Sequence, residues 1–167
     1  KGINILINSF EKLSQKYKYL RLFIVGHKES DYGRKMEGIA KDSPFGLKIH
    51  FTGKVDKVLD YYSIADIFVL PTIKKGEGCP VSLLEAMACD ISPIASNVSG
   101  IKDILDPFPD LLFFPGNANS LAEKLENWIV AKKHKKNIYR NYILKNYDIN
   151  IEVNNHMKIY KNLLCMN

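Results

Sequence analysis

The residue types that do chemistry concentrate in Thr72-Ile73-Lys74-Lys75-Gly76-Glu77-Gly78-Cys79-Pro80-Val81-Ser82-Leu83-Leu84-Glu85. Gly76 and Gly78 allow a tight turn and a close approach of backbone to a ligand. Pro80 suits the first position of a helix, where its missing N–H is no loss. The N–H groups of Val81, Ser82 and, at the margin, Leu83 then point out of a helix N-terminus. With the helix dipole behind them they form a ready anion site. A diphosphate suits that geometry, whereas a neutral ligand leaves its charge unused. Glu77 lies in the loop before the helix, and Glu85 lies inside it, roughly 7–8 Å up the axis at about 1.5 Å per residue. Glu85 shares a face with Val81 and Ser82. With phosphate at the helix start, Glu85 could reach a ribose on one side and Glu77 whatever hangs from the other phosphate. The residues alone leave a second reading open, in which the two are an ordinary helix charge and a loop charge.

The elements that must position this loop follow from periodicity. Ile3, Leu6, Ile7, Phe10, Leu13 and Tyr17 share one helical face. Tyr19 to Gly26 is a short apolar run stopped by glycine, which predicts a buried strand, and Leu47 to Gly53 repeats the pattern. A helix is expected over Asp31 to Lys41 and a short one over Lys57 to Ser63. Further strands are expected at Ile67–Pro71, Ser92–Ser96 and Leu111–Phe114, with a helix from Pro80 to Cys89. Beyond Asn117 the pattern is helical over 120–132, 137–145 and 151–164. Strands alternating with helices at this spacing predict right-handed βαβ units and a doubly wound, mostly parallel, Rossmann-like α/β sheet. Ligands of such sheets bind outside the carboxyl ends of the strands, after Val25, Thr52 and Leu70 here. The helix at Ile3 has no strand before it, so the reading is one domain over 1–167 with its first strand truncated and helices 120–164 packing on it.

The chain has 167 residues, 46% of them hydrophobic, enough for one sizeable core. No apolar run is long enough to span a membrane. The start, Lys1-Gly2-Ile3-Asn4, has no signal-peptide character and no initiator Met, which suggests a fragment. Cys79, Cys89 and Cys165, an odd number without a close pair, predict neither a disulfide framework nor a zinc site and point to a reducing cytoplasm. The net charge is +6, with a block at Lys132-Lys133-His134-Lys135-Lys136 and further lysines at 145, 158 and 161. That block reads as a solvated helix end, or as a patch attracted to an anionic membrane surface at about 1 kcal/mol per basic residue. No aromatic interleaving suggests nucleic acid.

Glu77 and Glu85, with seven residues between them, match the E-x7-E motif, which is embedded in a longer match over Tyr62 to Thr72 and then Glu77 to Cys89. Leu22-Phe23-Ile24-Val25-Gly26, Ile49-His50-Phe51-Thr52-Gly53, Pro93-Ile94-Ala95-Ser96-Asn97-Val98-Ser99-Gly100-Ile101 and Leu112-Phe113-Phe114-Pro115-Gly116-Asn117 extend the likeness over almost the whole chain. In this ordered set the sequence resembles the C-terminal, nucleotide-sugar-binding half of family-4-type retaining glycosyltransferases of the two-domain GT-B fold. The motif alone is weak, but the set is specific.

The resemblance implies that Glu77 contacts hydroxyls of the transferred sugar. It implies that the backbone from Gly78 through Cys79, Pro80, Val81 and Ser82 to Leu83 holds sugar hydroxyls and diphosphate, and that Glu85 binds the ribose. Lys1, of the Lys1-Gly2 pair, would neutralise the diphosphate, making Glu77 and Lys1 the catalytic positions. Main chain at Lys54 and Val55 would meet the base, with Gly26 and His27 beside the nucleotide. Asp90 stands where the family has glycine, and Asp103 where it has glutamate near the start of a helix after Gly100. The family's arginine partner of the lysine and its acceptor domain, with a histidine near the reacting centre, fall outside the chain.

The expected reaction is transfer of a sugar from a nucleoside diphosphate to an acceptor hydroxyl with retention, in polysaccharide or glycolipid synthesis. It would work by positioning and charge stabilisation, without cofactor or metal, and no Asp-x-Asp signature is present. Its partners would be a UDP- or GDP-sugar, the missing N-terminal acceptor domain and an anionic inner membrane face to which the protein is peripheral. The piece alone is expected to be inactive. A non-catalytic nucleotide-sugar-binding module and a sugar-nucleotide epimerase are the rivals. A nicotinamide dehydrogenase is disfavoured, because no G-x-G-x-x-G opens a helix.

Overall fold

A computed structural model describes residues 2–74, 76–131 and 137–164. Helix α1 (Ile3–Lys16) buries Leu6, Ile7, Phe10 and Leu13, the stripe that its periodicity marks. Strand β1 (Leu22–Val25) is shorter than the apolar run that contains it, because Tyr17 to Leu20 form a turn. Helix α2 (Asp31–Asp42) starts at Ser30, whose hydroxyl accepts the Gly33 N–H at 3.1 Å. Such a cap contributes about 1 kcal/mol. A 3-10 turn (Gly46–Lys48) leads into β2 (Ile49–Gly53), then α3 (Val58–Ile64), β3 (Ile67–Leu70), α4 (Val81–Ala88) and β4 (Ser92–Ser96). A four-residue helix, α5 (Ile101–Ile104), comes next, and its pattern is too short to read in sequence. The chain ends with β5 (Leu112–Phe113), α6 (Ala118–Ala131), α7 (Ile138–Asn146) and α8 (Ile149–Leu164).

Among the described residues every strand pairing is parallel, as the alternating pattern predicts, but the strands form two ladders, β1-β2 and β3-β4-β5. Helices cover the larger sheet on both sides. Leu83 and Met87 of α4, Ile101 and Ile104 of α5, and Tyr139 and Ile143 of α7 pack together with Ala95. Leu6 and Leu13 of α1 and Leu121 and Leu125 of α6 pack with Ile94 and Phe113 on the other face. That second cluster also takes in Leu22 and Ile24 of β1 and Ile67 and Val69 of β3. Helix α1 therefore bridges the two ladders, and its Ile7 and Phe10 continue into a cluster with Ala40 and Ile49.

Asp90 is left-handed, at φ 60°, the conformation expected of a position where the family has glycine. Its carboxylate also accepts the N–H groups of Asn137 and Arg140, capping α7 from a distant part of the chain. Among the C-terminal helices, α6 and α7 bury side chains, while α8 buries none of its own. The lysine block at 132–136 lies outside the described residues. Lys145, Lys158 and Lys161 are exposed on α7 and α8. No helix among the described residues is long and apolar enough to cross a membrane.

Candidate functional site

The carboxyl end of β3 runs into Pro71 and Thr72, both buried, and then into the glycine-bearing loop. The loop is pinned to the turn that follows β4. Glu77 N–H donates to Ser99 O at 3.0 Å. A Cβ on Gly100, at φ +82°, would stand 1.5 Å from Glu77 O, so no other residue fits there. Gly76 serves the same contact, since its Cβ would lie 2.8 Å from Ser99. Gly78, by contrast, faces open space. Of the two glycines credited with admitting a ligand, only Gly78 leaves room for one; Gly76 admits protein.

Helix α4 starts after the buried Pro80 with no side-chain cap. Leu83 N–H and Leu84 N–H donate to Pro80 O at 2.9 and 3.3 Å. The amide of Leu83, counted in sequence as a marginal member of the anion site, is therefore consumed by the helix. Val81 and Ser82 N–H make no hydrogen bond among the described residues. The cap position is Pro80 itself, which has no side-chain acceptor to offer them.

Both acidic side chains have hydroxyl partners. Thr72 Oγ1 donates to Glu77 Oε1 at 2.9 Å, and Glu77 is half-buried. Tyr62 of α3 is buried and its O–H lies 3.1 Å from Glu85 Oε2 and 3.3 Å from Ser82 O. Burial, and then the Glu85 carboxylate, push the Tyr62 phenol well above its ordinary pKa, so it stays protonated as a donor. Cys79 is exposed in the loop.

The remaining positions gather at neighbouring strand ends. Gly26 N–H donates to Gly53 O at 3.1 Å, which brings the carboxyl ends of β1 and β2 together and with them the exposed His27 and Lys54 and the half-buried Val55. His27 Nδ1 lies 2.8 Å from Glu29. Lys28 pairs with Glu37 at 3.1 Å, and its chain passes Gly53. The start of α1 links this edge to the acidic loop. Tyr32 O–H sits 3.2 Å from Ile3 N, while a Cβ on Gly2, at φ +79°, would meet Pro71 O at 1.8 Å. Gly2 therefore abuts the end of β3. Lys1, the residue before it, lies outside the described residues.

Sequence reasoning missed Thr72, Tyr62, Ser99 and Tyr32 as supports. Tyr62 and Thr72 lie within the family-like run, but no spacing rule links a tyrosine 23 positions upstream to Glu85. Among the described residues no three His, Cys, Asp or Glu side chains cluster as a metal site.

Parallel strands with helices packed on both faces, and uncapped amides at the helix start that follows β3, are those of a doubly wound α/β domain. Residues 1–144 match the family model described as glycosyl transferases group 1, and the chain belongs to that family. A Campylobacter jejuni N,N'-diacetylbacillosaminyl-diphospho-undecaprenol alpha-1,3-N-acetylgalactosaminyltransferase is 31% identical over 119 residues, covering 70% of this chain and 31% of the relative. A Rickettsia africae glycosyltransferase structure superposes with TM-score 0.89 at 21% identity, over 98% of this chain and 45% of that one. Anabaena Alr3699/HepE, solved in complex with UDP, superposes with TM-score 0.80 at 20% identity, over 99% of this chain and 45% of its own. The fold is that of a GT-B glycosyltransferase domain, and the chain spans less than half the length of each of these proteins.

Proposed function

We propose that this chain is the donor-binding part of a retaining glycosyltransferase, holding a nucleoside-diphosphate sugar for transfer to an acceptor hydroxyl in polysaccharide or glycolipid synthesis. The observation that carries the reading is the start of α4. Two uncommitted amides, Val81 and Ser82, stand on the helix dipole with a held carboxylate to either side in sequence. Amides and dipole suit the diphosphate. Ionised carboxylates accept hydrogen bonds only, so Glu77 and Glu85 suit sugar and ribose hydroxyls and repel phosphate.

In this reading Gly78, with nothing above it, lets the donor approach the main chain. Gly26, His27, Lys54 and Val55 flank the nucleoside. Lys1, which precedes Gly2 in sequence, supplies positive charge to the departing diphosphate alongside the helix dipole. No metal is assigned a part. The family membership and the UDP held by a structural neighbour support this donor class. The acceptor, and the residues that bind it, are assigned to the rest of a longer protein, with the anionic inner face of a membrane as a peripheral surface.

Calorimetric titration of the chain with UDP, GDP and their hexose conjugates tests the proposal. Binding of one nucleotide series is expected, with no sugar transfer by this piece alone. Glu85→Ala should weaken the free nucleotide about tenfold, the loss of a hydrogen bond to a charged group. Glu77→Ala should spare the free nucleotide and weaken the sugar-bearing donor. Equal losses on both ligands from both variants would contradict the division of labour, and transfer at full rate by this chain would overturn the split between donor and acceptor parts.

A further inference from the structure

We infer that Thr72 and Tyr62 are positioning residues that each engage one oxygen of an acidic side chain and so present its other oxygen to a hydroxyl-bearing ligand. The inference rests on the donor-site reading above. Thr72 is 6% exposed and is placed by the end of β3. Its hydroxyl holds Glu77 Oε1 while Ser99 O holds the Glu77 N–H, so the residue is fastened at both main chain and carboxylate. Tyr62 is 8% exposed, packed with Ala86 and Ile91 and 6.2 Å from the Phe68 ring. Among the described residues its hydroxyl is the sole hydrogen-bond partner of the otherwise exposed Glu85 carboxylate.

The chemistry of the remaining oxygens follows. With Glu77 Oε1 and Glu85 Oε2 engaged by protein, Glu77 Oε2 and Glu85 Oε1 are left to accept from a ligand. Each is an acceptor on an ionised group, so each selects a donor such as a sugar or ribose hydroxyl. A glutamate has several freely rotating bonds, and freezing them when ligand arrives weakens binding. Holding them beforehand moves that entropy loss into folding. Tyr62 adds a link, since α3 begins just after Lys54 and Val55, the segment assigned to the base. One buried ring therefore ties the base-side segment to the ribose-side carboxylate.

Tyr62→Phe and Thr72→Val remove each hydroxyl with little change of volume. The probes are UDP or GDP, whichever the unaltered chain prefers, its 2',3'-dideoxy analogue and its glucose conjugate, titrated by calorimetry. Tyr62→Phe should weaken the ribonucleotide about fivefold and leave the dideoxy analogue within about twofold, since that analogue lacks the hydroxyls that Glu85 would meet. Tyr62→Phe combined with Glu85→Ala should bind no more weakly than Glu85→Ala alone. Thr72→Val should spare the free nucleotide and weaken the glucose conjugate about fivefold, with Thr72→Ser restoring it. Equal loss on ribose and dideoxy ligands, or no loss, would show that Tyr62 only packs α3 on α4. Equal loss on both donor forms would reduce Thr72 to packing in the same way. If Glu85→Ala discriminates the ribose while Tyr62→Phe does not, the positioning claim falls and the donor site stands. A chain that binds none of these ligands sinks the donor site and the positioning claim together.

Discussion

The two ladders differ in how completely they are enclosed. In the larger one, every residue of β4 is buried, with β3 and β5 alongside it and helices on both faces. In the smaller one, burial alternates along β1: Leu22 and Ile24 face α1 and α2, while Phe23 and Val25 are 44% and 38% exposed on the other side. The acidic loop and the helix α4 that follows it belong to the enclosed half, and the Glu77 and Glu85 carboxylates are held by buried hydroxyls. The segments assigned to the base belong to the open half, where His27 and Lys54 are exposed. A rigid core is what gives a charged side chain a fixed address, so the open half offers mainly backbone.

The largest effects should come from the backbone contact that joins loop to core. Gly100→Ala puts a methyl where Glu77 O already stands, at a left-handed φ. A loss of more than about 3 kcal/mol is expected in urea unfolding, whereas Gly78→Ala, in open space, should leave stability within about 0.5 kcal/mol. If Gly78→Ala nevertheless weakens nucleotide binding, the ligand approach is on that side of the loop. Equal destabilisation by the two variants would break the contrast.

Core truncation comes next. Leu83→Ala, at a fully buried position of α4, should lose about 2–5 kcal/mol. Phe23→Ala, nearly half exposed and stacked on His50 at 5.2 Å, should lose only about 1 kcal/mol. Similar losses would mean that the two halves are equally tight. The smallest effect is expected from removing 149–164, since α8 buries no side chain; melting should shift by no more than about 4 °C. A larger shift would place α8 in the cooperative unit.

Legibility followed the same division. The apolar stripe of α1, the glycine-stopped runs at β1 and β2, and the Pro80 helix start could all be read locally, because each depends on residues within one or two turns of one another. Asp90 was legible as a left-handed position but not as the cap of α7, whose amides lie some fifty residues away. The joining of parallel strands into two ladders was not legible either, since strand pairing is decided by what packs between them. Helix α5 has no periodicity to read in one turn and was expected only from the resemblance; it stands on the Asp103 carboxylate accepting Gly100 N–H at 2.9 Å.

By itself, then, the order of residues determined the alternation of strands and helices, the family, and which loop carries acid beside free amides. These are properties of short windows, in which side-chain pattern and backbone preference act directly. Tertiary structure alone decided that Gly76 faces Ser99 and that Thr72 and Tyr62 grip the two glutamates. Such contacts depend on how separate elements are set against each other when the core closes, and no local preference encodes that.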